Sequence, residues 1–318
     1  MLIEIGAPAV LPLGLVLLEN KSCLLGITVQ HPPVHLSAKA YSGYKITGAR
    51  GDVGFEFATK FLDYHQLKHQ AEVEIELAIP AFVGLGSEAI LGLSIARTLS
   101  QLKELGIENN NPLALAKAID LKPQNALELW AFDRGGLLLV EFDSPAGETP
   151  DILQRQEIQH TDKEAWAFVF HFPRIPDDTP KTLETQRLEN LLQAAPHLSS
   201  ESSRLVVEDL WSAVKDDNLE KFAQGLGELS KSNNEALASA GISTPLSQEE
   251  DAILDVMLEN GALTCGRSAT GLALYALVKG SSATVALRHA LRDHVGHYGG
   301  TAMATITDNS GAQVVVKD

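Results

Sequence analysis

The sequence predicts an α+β protein built from two domains. Its first half is rich in short apolar runs separated by turn residues, a pattern typical of strands. Its second half contains several segments with the apolar spacing of amphipathic helices and ends in strands. Between the halves, residues 143–160 are polar and contain Pro145, Gly147 and Pro150, which indicates a linker. We therefore expect one domain over residues 1–155 and another over residues 156–318.

Composition excludes several classes of function. A chain of 318 residues is long enough for two cores, and 45% hydrophobic with 21% charged residues is typical of a globular protein. The net charge of −16 argues against nucleic acid and anionic membranes as partners, because both need a basic face. Cys23 and Cys265 lie far apart and provide no disulfide framework, which favours the reducing cytoplasm. The apolar residues 7–18 are interrupted by prolines and fall short of a membrane span.

The elements before residue 80 are predicted mainly as strands. Residues 3–18 predict two strands joined by a turn around Pro12 and Gly14, because proline and glycine interrupt ladders. Residues 26–29 and 34–38 predict a further pair, separated by two prolines. Residues 55–70 follow as a helix. Residues 72–79 alternate glutamate or alanine with apolar side chains, which predicts a half-buried strand.

A glycine loop follows that strand and leads into an apolar helix. Pro80 ends the strand, and Gly84, Gly86 and Ser87 precede apolar residues at helical spacing. Strand, glycine loop and helix together direct backbone N–H groups to one point before the helix, which favours an anion. The same residue sequence is also found in a purely structural turn, with Ser87 as the helix cap. Both interpretations, phosphate site and structural turn, remain open at this point.

The elements of the second half are mostly helical. Residues 166–172 predict a strand, and residues 182–195, 202–215, 218–237 and 245–259 predict four amphipathic helices. A glycine-rich segment, residues 261–271, leads into a further apolar run. Residues 282–294 predict the last helix. Residues 301–316 predict an antiparallel hairpin that turns at residues 308–311.

Three segments of the sequence carry a family resemblance. Residues 80–87 resemble the phosphate loop of the GHMP kinase superfamily, which includes galactokinase, homoserine kinase and mevalonate kinase. Residues 131–136 and the turn with Gly266, Ser268, Gly271 and Tyr275 are most similar to the β-ribofuranosylaminobenzene 5′-phosphate synthases of that superfamily. The resemblance implies a two-domain GHMP-kinase-like fold. Its N-terminal domain would resemble domain 2 of ribosomal protein S5, and its C-terminal domain would be ferredoxin-like.

The resemblance also implies an activity and its ligands. The synthases transfer phosphoribosyl from 5-phosphoribosyl 1-pyrophosphate to 4-aminobenzoate with loss of pyrophosphate and CO₂, a step of methanopterin biosynthesis. A phosphorylated small molecule would be the partner, and a homodimer is compatible with the sequence. A transferase is favoured over a kinase. Two alternatives remain: an ATP-dependent small-molecule kinase of the GHMP type, and a binding protein without catalysis.

The chain departs from the synthase pattern at charged positions. Val10 and Pro12 stand where the resemblance implies an arginine and a histidine, and Phe82 stands where it implies another histidine. Glu88 follows the loop, where its carboxylate could cap the helix, carry Mg²⁺ or repel a phosphate, and these interpretations remain open. No Lys or Arg is fixed beside the loop by the sequence. We therefore expect weak or absent ATP binding.

The candidate site lies where the two glycine-rich segments are expected to meet. Arg267 is the candidate clamp for a phosphate or carboxylate, because guanidinium groups bind both in bidentate fashion. The candidate catalytic residues are Arg267, Ser268 and Arg134. The candidate binding residues are Gly84, Leu85, Gly86, Ser87, Glu88, Lys122, Gly266 and Gly271, and Glu88 is also the candidate Mg²⁺ ligand.

Overall fold

The structure of the chain, a computed structural model, describes residues 1–107, 111–142, 150–159, 165–296 and 299–317. Two β-sheets with helices packed against them make up the described part. The predicted α+β class is confirmed. Part of the predicted linker, residues 143–149 and residue 160, lies outside the described residues.

The first part of the chain supplies most of the larger sheet. Its elements are β1 Leu2–Leu18, β2 Lys21–Ala40, β3 Tyr44–Gly48, α1 Gly51–Tyr64, β4 Ala71–Leu77, α2 Ser87–Ser100, α3 Pro112–Ala118, α4 Ala126–Arg134, β5 Leu137–Glu141 and β6 Ile152–Gln156. Their strands, together with the last strand of the chain, form a seven-stranded sheet. Along it the order is β11 (Gln313–Lys317), β1, β2, β4, β3, and β5 pairs with β2 and β6.

The strands β1 and β2 form one long antiparallel hairpin, so the prediction of two shorter strands in each segment was wrong. Its turn is Glu19-Asn20, both with positive φ, which matches the twist of the flanking strands. Prolines and glycines predicted to interrupt these strands lie within them, and the pairing register shifts between Pro12 and Gly14. A bulge accommodates such residues without ending the strand, because the neighbouring strand continues to pair on both sides.

The glycine loop and α2 lie at the centre of the larger domain. The alternation of β4 buries Val73 and Ile75 as predicted, whereas Leu77 at the end of the strand is 51% exposed. Helix α2 contacts β1, β2, α1, α3 and α4 and is buried on nearly all sides. A helix that is apolar on every side requires such a position. The N-terminus of α2, with Gly86 and Ser87, is therefore held by packing from several elements.

The second part of the chain forms the smaller sheet and its helices. Its elements are β7 Trp166–Phe172, α5 Leu183–Ala194, α6 Ser200–Lys215, α7 Leu219–Ser239, α8 Gln248–Glu259, β8 Thr264–Arg267, β9 Leu274–Lys279, α9 Ser281–Val295, β10 Thr301–Ile306 and β11 Gln313–Lys317. Four strands pair in the order β10, β7, β9, β8. One face of this sheet packs on α8 and α9, and the other shares a core with the larger sheet.

The prediction of a hairpin over residues 301–316 was wrong. Strand β10 pairs with β7 in the smaller sheet, whereas β11 pairs with β1 at the edge of the larger sheet. The segment between them is held by the larger domain, since Gly136 donates to the Asp308 carbonyl and Ala312 to that of Phe132. Turn residues mark a change of direction, but the free edges of the two sheets determined the partner of each strand.

The division into domains at residues 155 and 156 stays a prediction. That boundary falls within β6, which belongs to the larger sheet, and β11 returns to the same sheet from the C-terminal end. One continuous apolar cluster includes residues of both sheets. No helix among the described residues has the length and apolar character that crossing a membrane requires.

Candidate functional site

The two glycine-rich segments are in direct contact. A Cβ on Gly271 would overlap the backbone of Gly84, so glycine is required at this crossing. Three hydrogen bonds join the segments: from Leu272 N–H to the Phe82 carbonyl (2.9 Å), from Ala273 N–H to the Val83 carbonyl (3.1 Å) and from the Ser268 hydroxyl to the Gly84 carbonyl (2.7 Å). The segments meet as predicted. Since backbone packs on backbone here, no ligand fits between them at this crossing.

Helix α5 covers the same contact. The Glu184 carboxylate accepts a hydrogen bond from Gly84 N–H at 2.6 Å. Arg187, three residues later and therefore on the same face, donates to the Gly271 carbonyl. Burial raises the pKa of Glu184, and the bond from Gly84 opposes that rise. A protein carboxylate thus occupies one of the N–H groups that the loop was expected to offer a phosphate.

Two buried polar atoms near the N-terminus of α2 have no partner in the described part of the chain: Ser87 Oγ on α2 and Glu128 Oε2 on α4. Ser87 is 1% exposed and Glu128 is 8% exposed. A Cβ on Gly86 would lie 2.9 Å from Glu128 Cγ, so this glutamate packs directly on the loop. Burial, together with the negative charge of Glu184, raises the pKa of Glu128 to about 7. At neutral pH this carboxyl can therefore donate or accept a proton.

Glu88 lies on the solvent side of the loop. Its side chain is 65% exposed and pairs with Arg50 at 3.3 Å, while Arg50 Nη1 is buried and has no partner among the described residues. Across those same residues, no group of three His, Cys, Asp or Glu side chains is placed to hold a metal ion. The structure therefore does not add a second ligand to Glu88, whose Mg²⁺ role stays a prediction.

A cavity of about 470 Å³ lies on the far side of the glycine-rich turn that follows β8. We call it the arginine cavity, because Arg187 and Arg267 both line it. Apolar and amide side chains line it as well, among them Leu13, Asn233, Asn234, Leu254 and Cys265. A second, smaller cavity of about 260 Å³ adjoins it and shares both arginines. The cavity thus combines two guanidinium groups with apolar and amide side chains.

The two arginines are held in place by different partners. Arg267 donates to the Thr244 carbonyl at 2.8 Å and lies 3.4 Å from a carboxylate oxygen of Glu250. Burial, and then the positive charge of Arg267, lowers the pKa of Arg187 to about 10. Two positive charges this close repel each other in a partly buried place. An anion in the cavity would relieve that repulsion.

The structure separates the predicted site residues into three groups. Arg267 and Gly266 line the arginine cavity, while Ser268 is 2% exposed and its hydroxyl is used to bridge the segments. Arg134 pairs with Asp133 at 2.8 Å on the surface, and Lys122 pairs with Asp120 at 2.9 Å. Neither Arg134 nor Lys122 is among the residues that line either cavity. Gly84, Leu85, Gly86 and Ser87 form the loop.

The positions that depart from the synthase pattern border the site. Val10 packs against Gly86, and the Pro12 carbonyl accepts a hydrogen bond from Ala269 N–H at 3.2 Å. Phe82 is bonded to the glycine-rich turn, as described above. These three positions carry no charge, so the charge at the site comes from other residues, Arg187 and Arg267 among them.

The sequence analysis missed Glu128, Glu184 and Arg187. Glu128 has a recognisable signal, because it is the single charge in the apolar run 126–132 and such a charge is rarely buried without a role. Glu184 and Arg187 show only the ordinary spacing of a helix face. Their role depends on contacts with residues 100 and 84 positions away, which no local pattern reveals.

This chain resembles known proteins in its fold. No protein-family model matches this chain, and no curated protein sequence matches it. Solved structures do match over nearly their whole length. Homoserine kinase from Cytophaga hutchinsonii has a TM-score of 0.66 at 17% identity, covering 99% of this chain and 97% of that one.

Two further kinases show the same likeness. Mevalonate kinase from L. major, in complex with R-mevalonate, has a TM-score of 0.66 at 14% identity and covers 96% of both chains. Galactokinase from Lactococcus lactis, complexed with galactose, has a TM-score of 0.63 at 14% identity, covering 98% of this chain and 95% of that one. Identities this low establish the fold alone. The chain therefore has the two-sheet α+β fold shared by homoserine kinase, mevalonate kinase and galactokinase, the GHMP kinase fold.

Proposed function

We propose that this protein binds a small anionic metabolite in the arginine cavity and does not phosphorylate it with ATP. The observation that carries the proposal is the pair Arg187 and Arg267 lining one cavity of about 470 Å³. That volume lies in the range of small-molecule sites, roughly 300–1,000 Å³. Two neighbouring guanidinium groups suit a carboxylate or a phosphate, since each can donate two parallel hydrogen bonds.

The contacts of the glycine loop argue against ATP as a ligand. Kinase chemistry needs a phosphate cradle, a metal ion and a cation beside the transferred group. Here Gly84 N–H already serves Glu184, and Glu128 packs against Gly86. A triphosphate on this loop would approach the carboxylates of Glu128 and Glu184, and Arg50 beside the loop is paired with Glu88 through Nη2.

Phosphoribosyl transfer is the reaction to test first. The resemblance to the synthases points to 5-phosphoribosyl 1-pyrophosphate as donor and to 4-aminobenzoate, or a related aromatic acid, as acceptor. In that reaction a bond forms between ribose C1 and a ring carbon. The pyrophosphate leaves with the electron pair of its C–O bond, and CO₂ leaves the ring carbon, returning its pair to the ring. Arg187 and Arg267 would hold the leaving diphosphate or the acceptor carboxylate.

Phosphoryl transfer from ATP is the second candidate. The kinases that share the fold favour it, as do two unpartnered polar atoms near the N-terminus of α2, Ser87 Oγ and the Glu128 Oε2 of α4. In a kinase, Glu128 would accept the proton of the substrate hydroxyl, because a carboxyl with a pKa of about 7 can act as a base at neutral pH.

The test compares Arg187→Gln and Arg267→Gln with Arg134→Gln, whose side chain is exposed and lines neither cavity. Isothermal titration calorimetry would measure binding of 5-phosphoribosyl 1-pyrophosphate, 4-aminobenzoate and ATP, each with and without Mg²⁺. We expect one of the first two to bind the unmodified protein and to lose roughly tenfold or more in Kd with either cavity variant. The Arg134 variant should bind as the unmodified protein does.

Turnover then distinguishes the remaining functions. Release of pyrophosphate and CO₂ with both substrates supports the transferase. Binding without release supports a binding protein without catalysis. Tight ATP binding that is unaffected by either cavity variant contradicts the proposal and supports the kinase.

A further inference from the structure

One turn of α5 holds both glycine-rich segments of the site. Glu184 accepts from Gly84 N–H, and Arg187 donates to the Gly271 carbonyl. Residues three apart on a helix face the same side, so the two contacts are made together. Helix α5 therefore does more than line the arginine cavity, because its first turn also closes the phosphate-type loop.

The contact with Gly84 is of the kind an anionic ligand would make. A glycine loop before a helix attracts anions through its free N–H groups and the positive end of the helix dipole. The Glu184 carboxylate is itself an anion, and its 2.6 Å bond is short even for a charge-assisted hydrogen bond. A phosphoryl group that used Gly84 N–H would first have to displace this carboxylate.

The charges around Glu184 also disfavour a phosphoryl group at the glycine loop. Glu88 in the first turn of α2 and Glu128 on α4 add negative charge near Glu184, while Arg50 and Arg187 supply the opposing charge. Arg187 bonds the Gly271 carbonyl and Arg50 pairs with Glu88 through Nη2, while Arg50 Nη1 has no partner among the described residues. A phosphoryl group at the loop would be repelled by these carboxylates at short range.

We infer that Glu184 determines the ligand specificity of the loop. Its carboxylate fills the anion position at Gly84, excludes phosphoryl groups from the start of α2, and confines anion binding to the arginine cavity. The inference goes beyond the proposed function, because it concerns a group outside the arginine cavity and a ligand class that the loop rejects.

The experiment removes the carboxylate and asks whether the loop regains an anion. Glu184→Ala frees Gly84 N–H, and Glu184→Gln keeps a hydrogen-bond acceptor while removing the charge. Glu189→Gln, on the exposed side of the same helix, is the matched control. Sodium tripolyphosphate is the probe, and isothermal titration calorimetry measures its Kd. We expect Glu184→Ala to bind at least roughly tenfold more tightly than the unmodified protein and the control, with Glu184→Gln between them.

A second substitution locates the new binding. Adding Arg267→Gln to Glu184→Ala should leave tripolyphosphate binding unchanged if the anion lies on the loop. Loss of binding in that double variant would place the anion in the arginine cavity and overturn the inference. Equal binding by folded Glu184→Ala, Glu184→Gln and Glu189→Gln would also overturn it. If Glu184→Ala does not fold, the comparison of Glu184→Gln with Glu189→Gln decides the question. These outcomes are independent of whether Arg267→Gln alone weakens the metabolite binding proposed above.

Discussion

The loop at Gly84–Ser87 and the turn at Gly266–Gly271 are both glycine-rich but have opposite surroundings. The loop is closed by protein groups, since its carbonyls serve the turn and Gly84 N–H serves Glu184. The turn has one face on the loop and another on the arginine cavity. Glycines at this spacing thus indicate that some other group lies very close to the backbone of the segment. They do not say whether a ligand or another backbone makes the approach.

The charge of the two regions differs in the same way. Carboxylates of Glu128 and Glu184 surround the loop, whereas guanidinium groups of Arg187 and Arg267 line the cavity. In a protein of net charge −16, this difference in local charge favours the cavity over the loop for an anion. Under the proposed function, the anion site therefore lies beside the position that the resemblance implies.

The largest effect is expected where the two segments cross. Gly271→Ala places a methyl group on the Gly84 backbone, and the resulting separation of the segments should destabilise the protein by about 3 kcal/mol. Urea unfolding measures this change. Gly227→Ala, in α7 with nothing near the added methyl, should instead stabilise by about 0.5–1 kcal/mol. A neutral Gly271→Ala would mean that the segments are not packed together in solution.

The loop should also show a pH dependence of stability. Glu128 has a folded pKa of about 7 against an ordinary value of 4.5, so the unfolded state ionises first as pH rises. The protein then loses stability between those two pH values, and Glu128→Gln removes the loss. We expect the variant to be more stable by about 3 kcal/mol at pH 8, with most of that gain absent at pH 5.

Urea unfolding at the two pH values tests this prediction. Glu88→Gln is the control, because that side chain lies on the same loop but is 65% exposed. Its effect should stay within about 0.5 kcal/mol at both pH values. Equal stabilisation by Glu128→Gln at pH 5 and pH 8 would contradict burial as the cause of the raised pKa.

A smaller loss of stability is expected from a substitution in the wall of the arginine cavity. The Asn233 amide bonds both the N–H and the carbonyl of Leu15, each at 2.8 Å, and so joins α7 to β1. Asn233→Ala leaves these buried groups without partners and should cost about 2 kcal/mol in thermal or urea unfolding. Asn234→Ala, at an exposed position of the same wall, should change stability by less than about 0.5 kcal/mol. Similar losses from both would show that the bonds to Leu15 are not formed.

The smallest effects distinguish the two serines of the site. Ser268→Ala removes the donor to the Gly84 carbonyl and should cost about 1 kcal/mol. Ser87→Ala removes a buried hydroxyl that bonds no described group, so its stability should stay within about 0.5 kcal/mol of the unmodified protein. Differential scanning calorimetry of the two variants compares them. A larger loss for Ser87→Ala would reveal a partner for that hydroxyl.

Local sequence patterns predicted the fold class and most elements. The alternation at residues 72–79 predicted β4, and the apolar run 166–172 coincides with β7. Apolar spacing likewise located α5 to α9 within a few residues. Each of these strands and helices could be predicted because a few residues that are close in sequence decide which of its faces is buried.

The partners of those elements were decided only by tertiary structure. Residues 3–18 and 301–316 were misread because strand pairing, not turn residues, determined where β1 continues and which sheets receive β10 and β11. The candidate site shows the same limit, since Arg267 and the glycines were found from local motifs whereas Glu184, Arg187 and Glu128 were not. Their chemistry comes from contacts across the fold, such as Glu184 with Gly84 over 100 residues. Such contacts depend on how the helices and sheets pack, which no short segment encodes by itself.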